Sequence, residues 1–240
     1  MALPKIDVPT YEMTVPSSNK TITVRPFSVK EEKLLLIALE SKDTNEIVNT
    51  VKQVVNNCII TGDFDVNKAP FFDVDYLFIA LRAKSIGEKV GVKLSCNNVL
   101  ENGETCGQVF DAEMDIRNCE ILDEGAPNDI KLGGDKGVKM KYPGYGAMKR
   151  LDTGLEIDRK IDMVIQSIDF IYDKNGTYPA RDQSKEELQE FIEALTEENF
   201  RKLEAFVDNF PTFAVRIEAD CPKCGFHHNV RYTDFADFFL

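Results

Sequence analysis

Four cysteines arranged as two matching units constrain this chain more than any other feature. Cys221-Pro222-Lys223-Cys224-Gly225 is a tight CxxCG turn. The earlier unit is looser: Cys96, nine residues, then Cys106-Gly107. An alternating run precedes each unit, Val90 to Ser95 and Phe213 to Glu218, and another follows each, Gln108 to Met114 and Phe226 to Tyr232. Alternation of apolar and polar residues is the period of a half-buried strand. The expected unit is therefore strand, Cys, turn, Cys-Gly, strand, made twice. Pro222 and Lys223 allow the turn, and the glycine after the second cysteine can take a positive φ, so that backbone N–H groups face the thiolates. Two such knuckles can hold one tetrahedral zinc through four thiolates. Cys96, Cys106, Cys221 and Cys224 are the expected ligands of this Zn2+, tying together points more than a hundred residues apart. The stretch 97–105 reads as an insertion within the first turn, and its Asn102-Gly103 suits a small hairpin.

Other ligands compete poorly. His227 and His228 occupy successive positions of a strand and so face opposite ways. At most one can point inward, and a solvated state is expected for both. Cys58 and Cys119 read as plain core residues, because free cysteine is often buried. Four thiolates leave a metal no open position, so the zinc is expected to be structural rather than catalytic. No set of catalytic residues stands out. The two histidines are adjacent, and neither sits near a strained nucleophile turn. Asp158 and Asp162 are one helical turn apart, as on any solvated acidic face. The glycines at 133–137 and 144–146 match neither the P-loop nor the dinucleotide spacing. No catalytic residue, small-molecule substrate or cofactor beyond zinc is expected.

Charge narrows the partners. Against 29 Lys and Arg stand 41 Asp and Glu, a net charge of −12. Nucleic-acid binding rests on cations that neutralise phosphates, and near the cysteines Lys223 is the lone base. Direct nucleic-acid contact is therefore not expected. No apolar run is long enough to span a membrane, and the first residues lack the regions of a signal peptide. A cytosolic, reducing origin follows as an expectation, which favours metal binding over disulfides.

The remaining chain reads as α+β. A β-hairpin is expected over 10–27, turning at Pro16 to Lys20. Ser28 and Glu31 form a capping-box pattern opening a helix through Leu39. A second helix starts at Asp43 or Thr44 and runs to about Cys58. Asp73 is expected to cap a third, which Gly87 ends. Short β segments fill 108–142, a helix suits 153–169, and 170–183 reads as turn-rich. Ser184 and Glu187 form a second capping box, and Thr196 caps a last helix. The expected organisation is a hairpin plus helical region over 1–87, a split zinc-ribbon-like β module over 88–142 and 211–240, and a helical insertion over 143–210 between the knuckles. The C-terminal Phe235, Phe238, Phe239 and Leu240 make an apolar stripe, packed either on the chain itself or on a partner.

One stretch carries a resemblance. Gly62-Asp-Phe-Asp, then Phe72-Asp-Val-Asp-Tyr-Leu-Phe-Ile-Ala-Leu-Arg-Ala-Lys-Ser-Ile-Gly-Glu88, the strand into Cys96, and Cys221-Pro-Lys-Cys224-Gly resemble the T4-type baseplate hub and hub-assembly proteins of contractile-tailed bacteriophages. The N-terminal hairpin followed by Pro26-Phe-Ser-Val-Lys-Glu-Glu-Lys-Leu-Leu-Leu36 fits the same opening. The resemblance implies a non-enzymatic virion or assembly protein that binds other baseplate and tail proteins. It would reside in the tail baseplate, and in the host cytoplasm during assembly. A permanent hub component and a chaperone that leaves the finished baseplate are both compatible with it. A zinc-ribbon enzyme or nucleic-acid regulator is the reading of another class.

Overall fold

The computed structural model describes residues 7–123, 125–145 and 156–233. The fold is mixed α+β. In chain order the elements are β1 (Tyr11–Thr14), β2 (Thr21–Val24), α1 (Val29–Ser41), α2 (Thr44–Cys58), β3 (Ile59–Thr61), α3 (Phe71–Ser85), β4 (Lys89–Ser95), β5 (Val109–Asp115), β6 (Cys119–Leu122), β7 (Asp129–Gly133), β8 (Lys136–Met140), α4 (Glu156–Ser167), β9 (Ile168–Asp173), β10 (Gly176–Pro179), α5 (Lys185–Glu193), α6 (Glu197–Asp208), β11 (Thr212–Asp220) and β12 (His227–Tyr232). No described helix is long and apolar enough to cross a membrane.

Contacts divide the chain into two compact units. The first comprises residues 1–64, 72–122 and 212–240, the second 65–71 and 123–211. The first unit holds a β1-β2-β3 sheet, the β4-β5 hairpin and a β12-β11-β6 sheet. The second holds one antiparallel sheet in the order β10-β9-β8-β7.

In the first unit the caps act as the sequence predicts. Ser28 and Glu31 close a capping box on α1, and the Asp43 carboxylate accepts from the N–H groups of Asn45 and Glu46 to start α2. Arg25 pairs with the buried Glu31 at 2.9 Å. That contact, helped by Ser28, holds the Glu31 carboxyl at about 2. Asp73 does not cap α3. The helix begins two residues earlier, at Phe71, and Asp73 lies buried in its first turn. Its carboxylate accepts instead from Ser17 in the β1–β2 turn, from N–H at 2.9 Å and from Oγ at 2.5 Å. A residue type that often caps here ties a hairpin to a helix. Phe27 stacks on Phe78 of α3 at 5.6 Å between ring centroids.

The second unit has its own core: Ile130, Val138 and Met140 from the sheet, Val164 and Ile165 from α4, Leu188 and Ile192 from α5, and Leu203 and Phe206 from α6. Ser184 and Glu187 form the second capping box, and Thr196 caps α6 through Asn199. The stretch 170–183, which reads as turn-rich, is in fact the β9–β10 hairpin. Gly176 pairs with Asp173, so the connection is two residues long, and the Asp173 carboxylate accepts from Asn175 N at 2.8 Å and Gly176 N at 3.1 Å. Ile168 follows the apolar spacing of α4 yet opens β9 with no Gly or Pro between. The helical period therefore runs past the true helix end. The stretch 143–210, expected as a helical insertion, thus also contributes β9 and β10, and β7 and β8, expected in the zinc-ribbon-like module, join their sheet in the second unit.

Candidate metal centre

The two knuckles form by the same backbone pattern. In the first, Cys96 N–H donates to Gln108 O at 2.8 Å and Gly107 N–H to Cys96 O at 3.0 Å. In the second, Cys221 N–H donates to Phe226 O at 2.9 Å and Gly225 N–H to Cys221 O at 2.8 Å. Both glycines take positive φ, +62° at Gly107 and +72° at Gly225, a conformation that costs glycine little. The inserted stretch makes its own small turn. Val99 bridges Thr105, and Leu100 N–H donates to Glu104 O at 2.8 Å, with Gly103 at φ +83°. The insertion thereby closes on itself and returns Cys106 to the place that Cys224 holds in the shorter turn.

The β4–β5 and β11–β12 hairpins bring the four sulfurs together. All lie within 4.8 Å of one another. Cys96 Sγ is 3.7 Å from Cys224 Sγ, and Cys106 Sγ is 3.9 Å from Cys221 Sγ, each pair crossing from one hairpin to the other. A tetrahedron with metal–sulfur bonds of about 2.3 Å has sulfur–sulfur edges of about 3.8 Å, whereas a disulfide needs about 2 Å. The geometry is that of a four-thiolate cage able to hold a metal ion. Cys96, Cys106 and Cys221 are buried, and Cys224 is half-buried. Leu100 and Phe110 cover the cluster on its apolar side.

The surroundings tune the sulfurs unequally. The Phe226 backbone N–H, with help from Asn98, draws the Cys224 thiol down to about 6. Burial pushes the Cys96 thiol up to about 12. N–H groups that donate to sulfur stabilise the thiolate form a metal requires. Lys223 Nζ donates to Cys106 O at 3.2 Å, a second tie between the knuckles. Asn98, Lys223 and Phe226 escape a reading based on ligand spacing. Asn98 and Phe226 act through an amide and a main-chain group, and Lys223 reaches across to the other knuckle.

The remaining candidates lie outside the cluster. His227 is exposed, with Nδ1 2.7 Å from Asp220 Oδ1. His228, expected to be solvated, is buried instead at 5% exposure. It packs between Phe110 and Phe226, with ring centroids 5.6 and 4.9 Å away. The ring packs there although its Nε2 finds no hydrogen-bond partner among the described residues. Cys58 is buried and Cys119 half-buried. Burial pushes their thiols up to about 11 and about 12, as inert core cysteines behave. The aromatic residues of 234–240 lie outside the described residues.

The family model described as T4 bacteriophage base plate protein matches residues 8–240. Neither a curated protein nor a solved structure gives a significant match. The match spans nearly the whole chain, and the chain belongs to this family. Membership assigns it a structural role in the phage tail baseplate, in contact with other tail proteins.

Proposed function

We propose that this member of the T4 baseplate family is a non-enzymatic component of the hub region, built to hold other baseplate proteins in fixed relation. The observation that carries the reading is a family match that includes both knuckles. Zinc is the metal we assign to Cys96, Cys106, Cys221 and Cys224. Four cysteine sulfurs within 4.8 Å of one another, delivered by two Cys-Gly turns, suit a closed structural zinc site. Zinc supplies four metal–thiolate bonds there, and the chain's own residues do the rest. The two glycines turn the backbone, the donors to Cys224 favour its thiolate, and Leu100 and Phe110 keep water from one side.

The chemistry fits a scaffold. The cage joins Cys106 to Cys221 across 115 residues of chain. A metal bound in the folded state alone adds its binding free energy to folding. A rigid body with defined edges is what an assembly part requires.

Mass spectrometry of purified, salt-washed virions tests the reading. The chain should be present at a fixed ratio to other tail proteins. Its absence there, with presence in assembly intermediates from infected cells, would replace the permanent component by a chaperone released before completion. Absence from both would overturn the baseplate role. A salt-sensitive shift of DNA or RNA in a gel at physiological ionic strength would favour a nucleic-acid regulator instead.

A further inference from the structure

The second unit carries a cleft with a composition of its own. It measures about 310 Å³ and lies between the β9–β10 hairpin and α5. Ile171 and its cross-strand partner Tyr178 form one wall, and Leu188 and Phe191 the other. Tyr178 stays 42% exposed. Leu132 adds to the apolar lining, and Lys136 and Glu187 give polar edges.

Charge is placed unevenly beside this cleft. From Asp182 to Glu193 the chain has five acids and one base, Lys185. Lys185 is engaged by Asp162 at 2.7 Å, and Asp182 pairs with Arg181. Glu186, Glu187, Glu190 and Glu193 are all exposed. None of these four pairs with a cation among the described residues. Positions 187 and 191 share a helix face one turn apart, and 186, 190 and 193 form the next ridge around α5. The apolar cleft is thus followed directly by a row of uncompensated carboxylates. The Glu187 carboxyl is held below its usual range by the Ser184 N–H and hydroxyl, so it stays charged.

We infer that this cleft receives a large apolar side chain from a basic segment of another tail protein, with the glutamate ridge of α5 steering the flanking lysines or arginines. A concave apolar pocket with few polar groups is the usual seat of an anchor residue. The acidic ridge of α5 beside the cleft favours a basic partner and speeds its approach. The inference rests on the baseplate reading for where the partner comes from, and on the cleft alone for its chemistry.

Three synthetic hexapeptides and the full chain test it, followed by two-dimensional amide NMR. One peptide places Leu-Phe between two pairs of lysines. The second keeps Leu-Phe between pairs of glutamates. The third keeps the lysines and replaces Leu-Phe by Ala-Ala. The first should shift the amides around Ile171, Tyr178 and Phe191, and the other two should bind at least tenfold more weakly. Paired Glu186→Lys and Glu190→Lys substitutions, both on exposed positions, should weaken the first peptide about tenfold and leave the rest of the spectrum in place. Equal binding of the Ala-Ala peptide would reduce the site to a diffuse acidic surface and overturn the inference. So would equal binding of the glutamate peptide, shifts located elsewhere, or no shifts. None of these outcomes touches the virion test, and absence of the chain from virions would leave the peptide result standing.

Discussion

Replacing Cys221 by serine removes one of the four thiolates and is expected to release the metal and loosen the first unit. The size of the effect follows from the chain the site closes. Cys106 and Cys221 are 115 residues apart, and Cys96 and Cys224 are 128 apart. If the metal is treated as a cross-link, a loop of roughly 115 residues removes about 16 cal/mol/K from the unfolded chain, or about 5 kcal/mol at 25 °C. The second pair spans nearly the same stretch of chain, so one closure sets the scale of the effect. Serine nearly matches cysteine in size, so cavity formation is a small part of the loss. In a chain of this length each kcal/mol moves the midpoint by about 2–4 °C, and the expected drop is roughly 10–20 °C.

Elemental analysis and thermal melting followed by circular dichroism give the readout. Wild-type protein purified under reducing conditions should hold about one zinc per chain. Cobalt loaded in its place should show the intense visible bands of a tetrahedral thiolate site. Cys221→Ser should lose both. Cys58→Ser and Cys119→Ser should keep full metal content, since neither sulfur belongs to the cluster. A wild type without metal, together with a Cys221→Ser melt within about 2 °C of it, would refute the clamp. Metal loss in Cys58→Ser would show the ligand assignment to be wrong.

Four further substitutions, one of them a control, probe the first unit. The Glu31 carboxyl sits at about 2 instead of 4.5, chiefly through its hydrogen bond with Arg25. Its contribution is complete above about pH 4.5 and lost as the pH falls towards 2, a difference of about 3 kcal/mol. Glu31→Gln should be less stable at pH 7 and flatter across that window in urea melts, and an unchanged slope would exonerate this pair. At Gly62, φ is +124° and an added Cβ would lie 2.7 Å from Ile22 Cγ2 and 3.1 Å from its Cα. Gly62→Ala should cost about 2–4 kcal/mol, while Gly91→Ala, whose Cβ meets nothing within 4 Å, should be near neutral; equal midpoints would contradict this account of the turn. Ser17→Ala removes a hydroxyl donor from the buried Asp73 carboxylate and should cost about 1–3 kcal/mol. Chemical denaturation that shows no loss would mean Asp73 is satisfied otherwise.

What could be read from the residues divides by range. Caps are local: Ser28 with Glu31, Asp43, Ser184 with Glu187 and Thr196 all act where their spacing places them. Strand alternation is local too, and it locates β4, β5, β11 and β12 to within a residue or two. Errors arise where a local signal has two meanings. An aspartate before an apolar run is a cap in one context. At Asp73 it is a buried acceptor, because a serine 56 residues away reaches it. Ile168 fits the helical period of α4 and also the alternation of β9, and pairing with β8 decides between them.

The four-cysteine cluster was legible for the opposite reason: it is long-range, yet the turns that carry its sulfurs leave local marks. A thiolate ligand requires a turn that aims N–H groups at sulfur, and that turn requires a residue tolerant of positive φ. Cys-Gly therefore appears at Cys106-Gly107 and Cys224-Gly225 despite different loop lengths. Equal turn chemistry in two places is evidence that they serve one centre. His228 shows the limit of the same logic. Strand parity says that it and His227 face opposite ways, and they do. Which side is buried depends on Phe110 from the other hairpin, 118 residues earlier, and nothing beside His228 encodes that contact. The cysteines of the cluster are therefore more firmly specified by sequence than the residues packed around them. Substitutions at Leu100 or Phe110, which pack against the cluster, should shift its metal affinity in competition with a chromophoric chelator, and an unchanged affinity would show that this packing is irrelevant to the site.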